Sequence, residues 1–280
     1  HFDEQFALPG LLGQIPTSSA GGRDIFVVDL NRETGTANWH HTYGGTGNET
    51  AYGAAVTTAN DKLHVTGDFS GQVEFGALGN ATALGTSDVF VLKINPEGEE
   101  RILSTFGAAG ASAKGRGIAA TAERGVVISG LFTGAIDFGS GTQTSIDSDA
   151  FVVSLDSTLA TRWSQVFPGA GTARALDVDV EDGEVFVAGQ YSGLLSVGVT
   201  MLTAIGGNDA FFGSLALDDG TPNWAFGIGS TGADFGWGAE SYQGRLYVTG
   251  ALSGPADLAT GVLLDASADG DIFLGSYRVR

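Results

Sequence analysis

The chain writes one eight-residue stretch five times: "DIFVVDLN" from Asp24, "DVFVLKIN" from Asp88, "DAFVVSLD" from Asp149, "DAFFGSLA" from Asp209 and "DIFLGSYR" from Asp271. The steps are 64, 61, 60 and 62 residues. Self-similarity at so regular a period marks a tandem array of one supersecondary unit, whose copies bury their faces against one another. In each copy the Phe (Phe26, Phe90, Phe151, Phe211, Phe273) is followed by mostly apolar residues at both even and odd positions. Two apolar faces predict a strand sandwiched between layers. The leading Asp suits a carboxylate that accepts hydrogen bonds from nearby loop amides.

Around this strand the repeat supplies three more. After a polar turn ("NRETGTAN", "NPEGEER", "LDDGTPN") comes a strand with large apolar residues four apart: Trp39/Tyr43, Ile102/Phe106, Trp163/Phe167 and Trp224/Ile228. In a strand that spacing keeps both on one face. Gly44, Gly107, Pro168 and Gly229 follow directly and open Gly-rich loops. Next is a strand of small residues ("AYGAAV", "GRGIAA", "ARALDV", "FGWGAE"), which fits a crowded centre. Last is a "V-x-G" strand carrying Gly67, Gly130, Gly189 or Gly250, interior glycines that predict a bulge or a close backbone contact. A short hairpin-like insertion joins it to the next "D-x-F" strand, and residues 1–23 share its outline, so the N-terminus starts inside a repeat.

No stretch has sustained helical periodicity, and the reading is all-β. Four strands and an insertion per unit, stacked radially so that each twisted sheet covers its neighbour, give a β-propeller. The expectation is a single domain over residues 1–280, built from about four repeats plus an incomplete fifth: four to five blades, or part of a larger ring. Within a blade the small-residue strand is innermost, then "V-x-G", then "D-x-F", with the Trp-bearing strand outermost. The count leaves one insertion and one third strand over. The last copy, Asp271–Arg280, is where ring closure or β-augmentation by a partner is expected.

At this point the chain resembles the bacterial β-propeller repeat family often labelled SBBP, found in secreted and surface proteins. The residues that carry the resemblance are "AYGAAVTTANDKLHVTGDFSG", "DVFVLKINPEG" and "NWHHTYGGTG", with counterparts over nearly the whole chain. The resemblance implies a scaffold without a shared active site, and an extracellular or cell-surface location.

Charge narrows the partners. At a net −19 and a pI near 4.2, the protein repels a nucleic-acid backbone or an anionic membrane. No apolar run reaches the ~18–20 residues of a spanning helix, so no membrane insertion is expected. Cys is absent, which removes disulfides and thiolate metal sites. The chain begins at His1 without Met or a signal-peptide pattern, so a processed N-terminus is expected. Sequons at Asn48 and Asn80 permit glycosylation on a secretory route.

The candidate chemistry is sparse. His64 aligns with Val127, Phe186 and Tyr247 and reads as a packed core residue, while His40 and His41 face opposite ways. No cofactor is expected, with calcium as a weaker option at "DVDVEDGE", through Asp177, Asp179 and Glu181. An EF-hand-type loop needs Gly at its sixth position, where Asp182 stands, so a strand followed by an "EDG" turn fits better. No nucleophile elbow or P-loop occurs.

The most informative residues are those where the repeats disagree. Loops from each outer strand to the next inner strand gather round one mouth of a propeller axis, and there Glu49, Tyr52, Lys114, Arg116, Arg174, Asp234 and Trp237 vary against a constant frame. Loops on a rigid scaffold are the usual place for binding groups. The expected function is a non-enzymatic scaffold for protein interaction, adhesion or assembly, with a protein partner or self-association through the terminal strands. The alternative is a carbohydrate-active hydrolase, or a lectin-like binder of glycans using Trp237 and Tyr52. A hydrolase needs two or three acids in the funnel, with carboxyl groups about 5–10 Å apart.

Overall fold

The computed structural model describes residues 19–258, 261, 263–267 and 270–279; residues 1–18, most of the insertion-like leader, lie outside the described residues. Five antiparallel blade sheets follow one another along the chain in the order that the repeat predicts, and Ala256–Asp257 with Leu263–Leu264 form a separate two-stranded sheet. Blade I is a half-blade of a third and an outer strand, Ile25–Leu30 and Ala37–Gly45. Blade II runs from inner to outer strand as Glu49–Thr57, Lys62–Phe69, Asp88–Ile94 and Glu100–Phe106. Blade III is Ser112–Ala120, Val126–Asp137, Thr142–Leu155 and Thr161–Phe167. Blade IV is Ala173–Glu181, Glu184–Val197, Thr200–Ala216 and Pro222–Ile228. Blade V has three strands, Phe235–Tyr242, Arg245–Leu252 and Asp271–Arg278. Among the described residues the first sheet thus shows a third and an outer strand, and the last an inner, a second and a third strand.

The insertions are extensions of the second and third strands, and they reach back to the preceding blade. In blade II the extension is a separate hairpin, Gln72–Glu74 with Asn80–Thr82, and its first strand pairs with Gly44 and Gly45 of blade I. In blade IV, Leu194 and Leu195 pair in the same way with Gly169 and Ala170 after the blade III outer strand.

Two repeated sequence features explain each other. Across each full second–third strand pair, the "V-x-G" glycine stands opposite the "D-x-F" phenylalanine: Gly67 and Phe90, Gly130 and Phe151, Gly189 and Phe211, Gly250 and Phe273. A Cβ at Gly189 would stand 2.1 Å from the Arg174 carbonyl oxygen and 2.5 Å from the Phe211 ring, and the other three sites are equally closed. The ring of each phenylalanine occupies the space beside a bare glycine backbone, the arrangement known as aromatic rescue of glycine. The leading Asp works at the strand's start. Asp24, Asp88, Asp209 and Asp271 each accept a hydrogen bond from the N–H four residues earlier, on Ala20, Leu84, Ile205 and Ser267, at 2.7–2.9 Å. The glycine after the outer strand makes room for that carboxylate, since a Cβ at Gly44, Gly107 or Gly229 would collide with Asp24, Asp88 or Asp209.

Packing between blades follows one rule. The residues one and three after the Asp face the next blade; those two and four after it face the previous one. Val89 and Val91 of blade II thus meet Phe151 and Val153 of blade III. Ile25 and Val27 meet Phe90 and Leu92, and Ala210 and Phe212 meet Phe273, in separate clusters. A fourth cluster joins blades III and IV through Val152, Phe167 and Phe211. No cluster of described residues joins blade V to blade I. On the blade V end face Ile272 is 80% and Leu274 73% exposed, whereas Phe26 and Val28 at the other end are half-buried. A cleft of about 340 Å³, lined by Phe26–Val28, Ala51–Ala54, Leu63 and Val65, lies between the blade I third strand and blade II.

The outer strands interlock by size. Trp39 and Trp163 donate their indole N–H to the Pro96 and Leu217 carbonyls in the next blade's turn, at 2.9 and 2.8 Å. Their rings occupy the space a Cβ would need at Gly98 and Gly220. Blade II carries the smaller Ile102 instead, and there the turn of blade III presents the buried Leu159, held at φ 61°. The volume missing on one side is supplied from the other.

Candidate functional site

Every inner strand breaks its register at the same place, between the pairs Ala51/Gly53, Gly115/Ile118, Ala175/Asp177 and Gly236/Gly238. Each break is a β-bulge, which re-aims the extra residue. The bulged residues are Tyr52, Arg116 with Gly117, Leu176 and Trp237. Small neighbours allow it: a Cβ at Gly53 would lie 2.8 Å from the Arg116 carbonyl oxygen, and one at Gly236 2.7 Å from that of Gly189.

Four blades thereby line one cavity of about 440 Å³, made by Tyr52, Arg116, Arg174, Leu176, Gln190, Phe235 and Trp237. Its wall is sorted by blade. Aromatic rings come from blades II and V, guanidinium groups from the two blades between them. The Arg116 guanidinium lies over the Tyr52 ring, 3.7 Å from its centroid, a cation–π pair. Phe235 and Trp237 are stacked with centroids 6.2 Å apart, and Trp237 is 51% exposed. Arg174 is exposed and faces Gln190 directly across the strands. Among the described residues neither Arg116 nor Arg174 has a salt bridge. No carboxylate is among the described residues that line the cavity. The counterpart of Gln190 in blade II is an acid, Asp68. Burial raises its pKa, against the opposing charges of Lys114 and Arg116.

Of the seven residues the sequence singles out, Tyr52, Arg116, Arg174 and Trp237 share the cavity. Lys114 pairs with Leu131 on the same inner strand as Arg116 and is not part of the lining. Glu49 and Asp234 depart from the expectation, because both are fully buried instead of standing at the mouth. Asp234 anchors a loop, accepting from the Ser253 N–H at 2.6 Å, the Ser230 hydroxyl at 3.1 Å and the Ser230 N–H. Glu49 accepts from the Gly45 N–H at 3.1 Å. Its carboxyl is pushed up to about 7, first by burial and then by the charge of Asp24. Both residues start an inner strand, where a loop closes over the side chain; only the coordinates show this. Gln190 and Phe235 line the cavity without having stood out in the sequence. Gln190 was legible only as the one amide among Asp68, Leu131 and Ala251 at equivalent positions.

The acids considered for calcium have other partners. Asp177, Asp179 and Glu181 alternate along the blade IV inner strand, on one face and about 6–7 Å apart. Each accepts from the free edge of the blade V inner strand: Asp177 from the Ala239 N–H at 3.1 Å, Asp179 from the Ser241 N–H at 2.7 Å, and Glu181 from the Gln243 N–H at 2.9 Å. Asp179 also accepts from the Ser241 hydroxyl. They form a carboxylate ladder that fastens two sheets. The "EDG" turn follows as the sequence predicts, with Asp182 at φ 51° and Gly183 at φ 84°.

His64 is fully buried and neither ring nitrogen has a hydrogen-bond partner. Burial, aided by the Lys93 charge, depresses its pKa to about 4. His41 instead bridges blades, with Nε2 2.6 Å from the Gly98 carbonyl oxygen and Nδ1 3.3 Å from Glu100.

No protein-family model matches the chain, and no curated protein matches it. Among solved structures, a protein of unknown function from Bacteroides caccae is similar at 11% identity and a TM-score of 0.38, over 94% of this chain and 93% of that one. A GH43 endo-arabinanase from Bacillus licheniformis is similar at 10% identity and a TM-score of 0.31, over 84% of this chain and 73% of that one.

Proposed function

We propose that this protein is a non-catalytic β-propeller scaffold of the cell surface or extracellular space that holds a ligand at its axial mouth. One observation carries the reading. The axial wall gathers aromatic, guanidinium and amide groups from four blades, and its described residues contribute no carboxylate to the cavity. Glycoside hydrolysis requires an acid and a second carboxylate on opposite sides of the scissile bond, and this lining offers neither. Rigid strands, not long loops, hold the side chains, which lowers the ordering cost of binding. A glycan and peptide array followed by incubation of each bound ligand tests the proposal. Binding that Trp237→Ala abolishes, with the ligand recovered intact, is the expected result. Ligand cleavage by the purified protein would overturn it.

The open face of blade V supports an assembly role beside this. Ile272 and Leu274 are exposed, while the equivalent pairs Val89/Val91, Ala150/Val152 and Ala210/Phe212 are wholly buried against a following blade. An apolar face of this kind marks an interaction surface.

A further inference from the structure

The floor of the axial cavity holds Gln190, which is 7% exposed. Among the described residues its side-chain amide has no hydrogen-bond partner. Unlike the sealed ring nitrogens of His64, that amide keeps contact with solvent and opens into the cavity, where a ligand can take the place of water. The equivalent second-strand residue is Leu131 in blade III and Ala251 in blade V, so the fold does not require an amide here. Beside it stands Arg174, exposed and without a salt bridge in a chain of net charge −19. A donor–acceptor amide beside a guanidinium that has no salt bridge among the described residues, in a wall that also carries aromatic rings, is a set of groups that a ligand can complement.

We propose that this cavity binds a carboxylate-bearing sugar, a uronic acid unit of an acidic saccharide. The proposal rests on the binding reading above and names its ligand. Each part of such a ring has a counterpart. A guanidinium receives a carboxylate through two parallel hydrogen bonds, and Arg174 supplies one that has no salt bridge among the described residues, with Arg116 on the neighbouring blade held over the Tyr52 ring. An amide both donates and accepts, as neighbouring sugar hydroxyls demand of Gln190. The apolar C–H face of the ring lies against an exposed aromatic face, which Trp237 and Tyr52 supply. The volume of about 440 Å³ falls in the range of small-ligand sites, about 300–1,000 Å³.

Calorimetric titration with a trigalacturonate and a glucuronate-containing disaccharide, beside their methyl esters, tests the assignment on the full chain. Binding of the acids at least tenfold tighter than of the esters is expected, with the preference weakening as salt rises. Arg174→Gln should lose that preference, and Gln190→Leu should weaken acids and esters alike, with thermal melting confirming that both variants fold. Equal affinity for acids and esters would overturn the uronate assignment while leaving a saccharide site at the mouth. Inorganic sulfate or phosphate competing as well as the saccharide would also overturn it, because the site would then read charge alone. If neither acids nor esters bind and Trp237→Ala changes no array signal, the axial binding reading itself fails.

Discussion

Replacing His64 by Val, the residue at the same position of blade III, gives a test in which the sign depends on pH. In the folded chain the ring is fully buried without a hydrogen bond, and its pKa falls to about 4 from an ordinary 6.5. The fold thus favours the neutral ring, and the unfolded chain binds a proton first. The wild type is penalised progressively as pH falls from 6.5 towards 4. By linkage, the loss between pH 7.5 and pH 5 is about 2 kcal/mol, at 1.36 kcal/mol per tenfold change. His64→Val removes it. Every other titrating group is common to both proteins, so their difference isolates this one. For a chain of this length about 2 kcal/mol corresponds to a gap of about 3–4 °C in melting temperature. Scanning calorimetry at pH 7.5, 6 and 5 measures it. The variant should match or modestly exceed the wild type at pH 7.5, since losing an unsatisfied polar ring offsets a small loss of volume. Its advantage should then widen on acidification. A gap that stays constant from pH 7.5 to 5 would refute a buried neutral His64.

Glu49→Gln should show the opposite slope. Its folded pKa of about 7 lies above the ordinary 4.5, so wild-type stability is full below pH 4.5 and falls as pH rises through 7; denaturant melts should show Gln ahead by up to about 3 kcal/mol at pH 9 and level near pH 4.5. Gly189→Ala drives a Cβ into the Arg174 carbonyl and the Phe211 ring, and should cost about 2–3 kcal/mol in a urea melt; an unchanged midpoint would contradict the close contact. Ile272→Lys with Leu274→Lys should leave the melting temperature within a degree or so while reducing self-association in concentration-dependent sedimentation, since both side chains are solvent-facing. Identical sedimentation of the variant and the wild type would remove the assembly role of that face.

Sequence periodicity carried the fold because the repeated residues are those the backbone dictates. Gly44, Gly67 and Asp88 recur since carbonyls, rings and loop amides leave no alternative at those points. The strand order and the sandwiched third strand were legible for the same reason. The site was legible only in part. Tyr52, Arg116, Arg174 and Trp237 stand out as departures from a repeated frame, and the bulges bring them together. Glu49 and Asp234 depart from the frame too, yet they point inward. Whether a polar residue at the start of a strand faces water or the loop behind it depends on how that loop closes. Gln190 meets Arg174 only through register, and the Asp177 ladder spans 62 residues between blades. Neither relation leaves a local pattern.

The four separate cores have a mechanical consequence. Each blade's strand ladder closes within itself, and neighbouring blades are held mainly by side-chain packing, short insertion contacts and, between blades IV and V, the carboxylate ladder. A chain pulled from its ends should therefore yield one blade at a time. Each blade of about 60 residues would release roughly 200 Å of extended chain. Blade V, whose Ile272 and Leu274 are exposed, should give way before blade III, which is packed on both sides.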